Sequence, residues 1–96
     1  MPVYVQLISW TPQGASAAKD TVQRSQRARA QAEKLGIRFR DIVWTMGRYD
    51  AVAIFEAPND ETASKFSIWL GTVGSARTET LRGYSEQEIA KIVEGL

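Results

Sequence analysis

The chain is expected to fold as an α+β domain, with one antiparallel four-stranded sheet, two helices against it and a further helix at the end. Three observations carry that expectation. Apolar runs with strand chemistry alternate with helical repeats in the order β-α-β-β-α-β. Glycine, proline and capping residues punctuate each junction. The length, 96 residues, suits a single domain spanning 1–96 rather than two.

The first strand is Val3–Trp10, VYVQLISW. Val3, Val5 and Leu7 alternate with Tyr4, Ile8 and Trp10, and only Gln6 interrupts the apolar character. A strand apolar on both sides belongs at the centre of a sheet and is covered twice. Thr11-Pro12-Gln13-Gly14 breaks it, and a short helical turn through Ala15–Ala18 leads into the first helix. Asp20 and Gln23 have the spacing of an N-terminal cap and its reciprocal partner. Ala18, Val22, Ser25, Ala28, Ala32 and Leu35 recur at helical spacing, with Gln23, Arg24, Arg27, Gln31 and Lys34 facing away. Gly36 stops the helix.

Ile37–Met46 is the second strand and Tyr49–Ala57 the third, joined by a two-residue Gly47-Arg48 turn in which glycine takes a positive φ. That register sets Trp44 opposite Ala51 and Ile42 opposite Ala53, large against small. Phe39, Val43, Val52 and Ile54 are assigned to the other face. Ala57-Pro58-Asn59-Asp60 ends the strand and caps a second helix, Glu61 to about Leu70, with Ala63, Phe66 and Leu70 as its stripe. Gly71 and Gly74 bracket the exit, and Ser75–Gly83 is a fourth, more polar strand near an edge. Ser85 and Glu88 form a capping box for the last helix, whose apolar side is Ile89, Ile92 and Val93.

This order is the ferredoxin-like plan, in which the first and third strands are central and both helices cover one face. The sheet is apolar on two faces, so the other face needs a cover. A second copy of the chain, packed sheet to sheet, is the simplest one. Trp10, Trp44, Met46 and Ile8 are then candidates to line either an apolar cavity between two sheets or a plain dimer core. Trp69 is a candidate for a further subunit contact.

Composition narrows the chemistry. No cysteine and no histidine is present. Thiolate nucleophiles, disulfides, imidazole acid–base catalysis and Cys- or His-ligated metals are thereby excluded. No spaced run of aspartates resembles a calcium loop, and neither metal nor cofactor is expected. A net charge of +1 gives no general reason to expect nucleic acid. The basic stretch from Lys19 to Arg40 is taken as a solvated helix face. No run approaches the roughly 20 apolar residues of a membrane span. Met1-Pro2-Val3-Tyr4 does not resemble a signal peptide, so the expected location is cytoplasmic.

Gly47-Arg48-Tyr49-Asp50 within WTMGRYDAVAIFEAPNDETA, the opening YVQLISWTPQG and GSARTETLRGYSEQE from Gly74 together resemble the GYD-domain proteins over nearly the whole chain. These are small bacterial and archaeal proteins. The resemblance implies a ferredoxin-like subunit of the dimeric α/β-barrel group, homo-oligomeric and without a settled biochemical role. Where that family carries proline after the aspartate equivalent to Asp20, this chain has Thr21-Val22. GRYD with RTET at Arg77–Thr80 is also similar to the effector-binding module of leucine-responsive regulators, which hold amino acids between subunits. Their helix-turn-helix has no counterpart here.

With the third strand taken to run parallel to the first, Arg48, Tyr49, Asp50, Tyr4, Thr80 and Arg82 gather at one end of the sheet. Trp10, Arg38, Glu56 and Arg77 fall at the other. Asp50 is either a partly desolvated base or a fastener of the turn. Tyr49 and Tyr4 could orient a ligand, and Arg48 or Arg82 could grip a carboxylate at two points. The candidate ligand-binding set is therefore Tyr4, Arg48, Tyr49, Asp50, Arg82 and Trp44, with Asp50 and Tyr49 the candidate catalytic pair. The leading expectation is a homo-oligomeric module that binds a small organic molecule at or near the barrel between subunits. A purely structural assembly protein comes second. A cofactor-independent isomerase or monooxygenase with Asp50 as base comes third.

Overall fold

A computed structural model describes all of residues 1–96. Strand β1, Val3–Trp10, is followed by a short helix α1, Pro12–Ser16, and a 3₁₀ turn, Ala18–Asp20. Helix α2, Thr21–Lys34, leads to β2, Arg38–Trp44, and β3, Ala51–Glu56. Helix α3, Asp60–Val73, β4, Ala76–Gly83, and α4, Glu86–Ile92, complete the chain. The sheet order is β2-β3-β1-β4 and every neighbouring pair is antiparallel, an α+β fold with β1 and β3 central.

Strand direction corrects one expectation. The crossover through α2 returns β2 pointing as β1 does, and the hairpin then reverses β3. β3 is therefore antiparallel to β1, with Tyr4 beside Phe55 and Ile8 beside Ala51. The six polar candidates consequently do not share one end. Asp50 lies by Trp10, whereas Tyr4 lies beside Arg82 at the opposite end.

The core forms where Tyr4 and Phe55 meet α3. Phe55 and Phe66 are completely buried. Tyr4 stacks on Phe55 at 5.5 Å, and Phe66 meets Phe55 and Phe39 edge-on at 5.8 and 5.7 Å. Phe39 thus joins the helix-covered face, not the face of Val43 and Val52. A bulge between Phe39 and Asp41 is the reason, since one extra residue inverts the alternation on that side of the strand.

The same alternation shows which face is open. Tyr4, Gln6, Ile8 and Trp10 point toward the helices, as do Ala51, Ala53 and Ile42 opposite them. Val5, Leu7, Val52 and Ile54 point the other way, flanked by Val43 and Leu81, which are about half exposed. The shortest dimension, 18 Å, has room for one helix layer on one sheet. Trp10 and Trp44 therefore lie on the helix-covered face, the reverse of the arrangement expected for a cavity between two sheets.

Several local expectations hold and others shift. Asn59 caps α3 by accepting from the Thr62 N–H at 2.9 Å, and the Ser85–Glu88 capping box is formed. Asp20 occupies the cap position of α2 without making the bond, because the 3₁₀ turn runs straight into the helix and supplies Ala18 O to Thr21 N. Ser25, Ala28, Ala32 and Leu35 lie inward as expected, but the first turn of the helix differs. Thr21 and Arg24 face inward, and Val22 is exposed. Arg24 donates back to Ala17 O at 2.6 Å and Gly14 O at 3.2 Å. Helix α1 begins earlier than expected, at Pro12, under a Thr11 cap. Gly14 within it lies so close to Ser75 that a Cβ would meet the Ser75 carbonyl oxygen at 2.0 Å.

Candidate functional site

The main concavity is an apolar cleft of about 620 Å³ between α2, α3 and the helix-covered face of the sheet. Its floor comes from β1 and β3, where Ile8 and Trp10 flank the small Ala51. Trp44 closes one side from β2, and Phe66, Trp69 and Leu70 close the other from α3. The volume follows from residue size. Ala51 and Ala53 cover little area, and the apolar residues that α2 brings to the cleft are small, Ala28 and Ala30. Small side chains therefore leave space at this end, while aromatics fill the Phe55 end. Trp44 is oriented by its indole N–H, which donates to Thr21 Oγ1 at 2.9 Å. All three tryptophans of the chain line the cleft.

Polar side chains line it mainly from α2, among them Thr21, Ser25 and Gln31, and one polar group from the sheet is well buried. Gln6 is 1% exposed. Its side-chain amide makes a single long bond, from Nε2 to Ser67 Oγ at 3.4 Å. The sequence marks Gln6 as the one polar residue of β1. Only the register shows that it faces the helices and lies beside the cavity.

Of the six sequence candidates, Trp44 lines the cleft. Asp50 stands at its end. The chain leaves the sheet at residues 45–50 in a loop wider than a two-residue turn, although Gly47 has the expected positive φ of 103°. The Trp44–Ala51 register survives because Thr45 N–H donates to Asp50 O at 2.9 Å. Beyond Ala51 the backbone of β3 turns away from β1. The Asp50 carboxylate replaces the missing ladder carbonyl, accepting from the Trp10 N–H at 2.7 Å, while the Asp50 N–H donates to Ile8 O at 2.8 Å. Asp50 therefore fastens two strands below the cleft. Asp50→Ala is expected to leave the Trp10 N–H without its acceptor and cost about 1–3 kcal/mol. Asp50→Asn keeps an acceptor and should cost about 1 kcal/mol. Urea unfolding of the pair checks this, and equal losses would show that charge rather than the bond matters.

Tyr49 and Arg48 lie along the open face. The Tyr49 hydroxyl reaches Glu79 at 3.4 Å, and the Arg48 guanidinium lies 5.5 Å from the Tyr49 ring. Tyr4 and Arg82 make a separate cluster at the far end. Arg82 sits 4.7 Å from the Tyr84 ring and 5.8 Å from Tyr4, and pairs with Glu88 at 3.0 Å. The Ser85 backbone N–H, and then Arg82, hold the Glu88 carboxyl below its ordinary range. The Tyr4 hydroxyl donates to Asp60 Oδ1 at 2.5 Å. Burial first, and then that bond, push its pKa up to about 12. The unfolded chain loses this proton near pH 10, so the Tyr4 contribution is fully present below that and is lost as pH rises toward 12. In parallel melts across that window, Tyr4→Phe should lose less stability than the parent. Identical slopes would contradict the assignment.

The family model for the GYD domain matches residues 4–93. The chain belongs to the GYD domain family. No curated protein and no solved structure matches it. The motif that gives this GYD domain its likeness, Gly47–Asp50, thus serves the β1–β3 junction and borders the open face. The cleft itself is formed by residues outside that motif. No group of three or more Asp or Glu residues comes together, and no helix is long and apolar enough to cross a membrane.

Proposed function

We propose that this GYD domain is a homo-oligomeric small-molecule-binding module whose ligand occupies the cleft beneath α2 and α3. The cleft is the observation that carries the reading. It has the volume of a small-ligand site, a mostly apolar lining and a buried amide at its base. The site lies within one subunit, on the opposite side of the sheet from a barrel between subunits. The open face of Val5, Leu7, Val52 and Ile54 supports a second copy as its cover. Catalysis by Asp50 is the weaker alternative, because its carboxylate is already engaged with Trp10.

Titration with a neutral aromatic amide, phenylbutyramide, tests the binding reading. The three tryptophans are the reporters, and their emission should shift saturably. An unchanged spectrum up to the solubility limit argues for the assembly reading instead, in which the subunit's surfaces rather than its interior matter.

A further inference from the structure

We infer that the cleft selects an amphiphilic carboxylate, with an apolar aromatic body held among Trp10, Trp44 and Trp69 and an anionic head at Arg27 and Lys34. The inference rests on the binding reading above and adds the chemistry of the ligand.

Charge at the rim is the argument. Every charged residue lining the cleft is a cation, namely Arg24, Arg27 and Lys34, and no Asp or Glu is among them. All three stand on α2, at spacings of three and seven that place them on one flank of the helix with Gln31. The helix holds one carboxylate, Glu33, which lies on the other flank beside Arg29 and Arg38. Arg24 is committed, with both terminal nitrogens bonded to backbone carbonyls. Arg27 and Lys34 are not: the chain's one salt bridge joins Arg82 to Glu88. Two exposed cations therefore stand unpaired over a hollow faced by aromatic rings. The basic stretch from Lys19 to Arg40 is thus divided between solvent and this rim. A ligand with an apolar body and a single negative end complements both parts. A cation would meet only like charge at the rim, and a neutral molecule would use the walls alone.

Phenylbutyrate and phenylbutyramide separate these cases, because they share the ring and chain and differ in charge. Both are titrated against tryptophan emission at low and high salt. The carboxylate should bind about tenfold more tightly at low salt, as expected for two exposed charge contacts. The gap should narrow as salt screens the rim. In the double variant Arg27→Gln, Lys34→Gln the carboxylate's advantage should vanish. Both side chains are exposed and neither makes a hydrogen bond within the fold, so the variant should fold. Equal affinities in the parent protein would overturn the anion inference and leave the binding module standing. So would a tenfold advantage that survives in the double variant. Binding of neither compound would remove both.

Discussion

Phe66→Ala is expected to cost about 3–5 kcal/mol, the range for deleting a fully buried ring. A domain of this size has about 5–15 kcal/mol in all, so the variant should lose a large share of its stability. Position explains the size of the effect. Phe66 is completely buried and touches the rings of Phe39, Phe55 and Trp69, at 5.7, 5.8 and 6.2 Å between centroids. It is the main apolar link from α3 to the sheet at the closed end, and it also forms part of the cleft wall. The void left behind would therefore be continuous with the cleft. Urea denaturation followed by tryptophan emission and by circular dichroism should show a midpoint far below the parent. A loss under about 1 kcal/mol would mean that the site collapses freely and that the aromatic cluster is not the core.

The core and the cleft differ in how far the sequence discloses them. The register of the hairpin, Trp44 against Ala51 and Ile42 against Ala53, follows from counting back from a two-residue turn at Gly47-Arg48, and it holds although the loop spans residues 45–50. The capping box at Ser85 and Glu88 is equally local, since four consecutive residues carry it. What alternation cannot give is which of two apolar faces receives the helices. The bulge after Phe39 hides that further by moving one aromatic to the opposite side. The polar candidates scatter for a related reason. Tyr4, Asp50 and Arg82 are each legible as unusual residues, but their grouping depends on strand direction. The inward turn of Arg24 depends on the Ala17 and Gly14 carbonyls, which the preceding short helix and turn bring within its reach. Gln6 was visible as an interruption, and only three-dimensional placement turns an interruption into a wall of a cavity.

With a second copy covering the open face, as proposed, Val52→Lys should convert the protein from two copies to one. Val52 lies opposite Leu7 and Val43 near the middle of the open face, on a strand whose other side is already occupied by helices and cleft. In a single subunit a lysine there can extend into water, so the fold should survive. In a sheet-to-sheet pair it would be buried without a partner charge, at a cost of about 3–5 kcal/mol, which weakens self-association by roughly two to four orders of magnitude. Sedimentation of parent and variant at the same concentration reads the difference, and circular dichroism verifies that the subunit is intact. A second locus competes for the same role. Helix α4 is fixed at its start by the Ser85–Glu88 box and the Arg82 pair, yet Ile89, Ile92 and Val93 along it are 41, 57 and 45% exposed. Ile92→Lys therefore belongs in the same experiment. If it dissociates the pair while Val52→Lys does not, the copies join through the terminal helix and the sheet face is left to another cover. If the parent itself runs as a single subunit at tens of micromolar, the excess apolar face of this sheet is not a self-association surface at all.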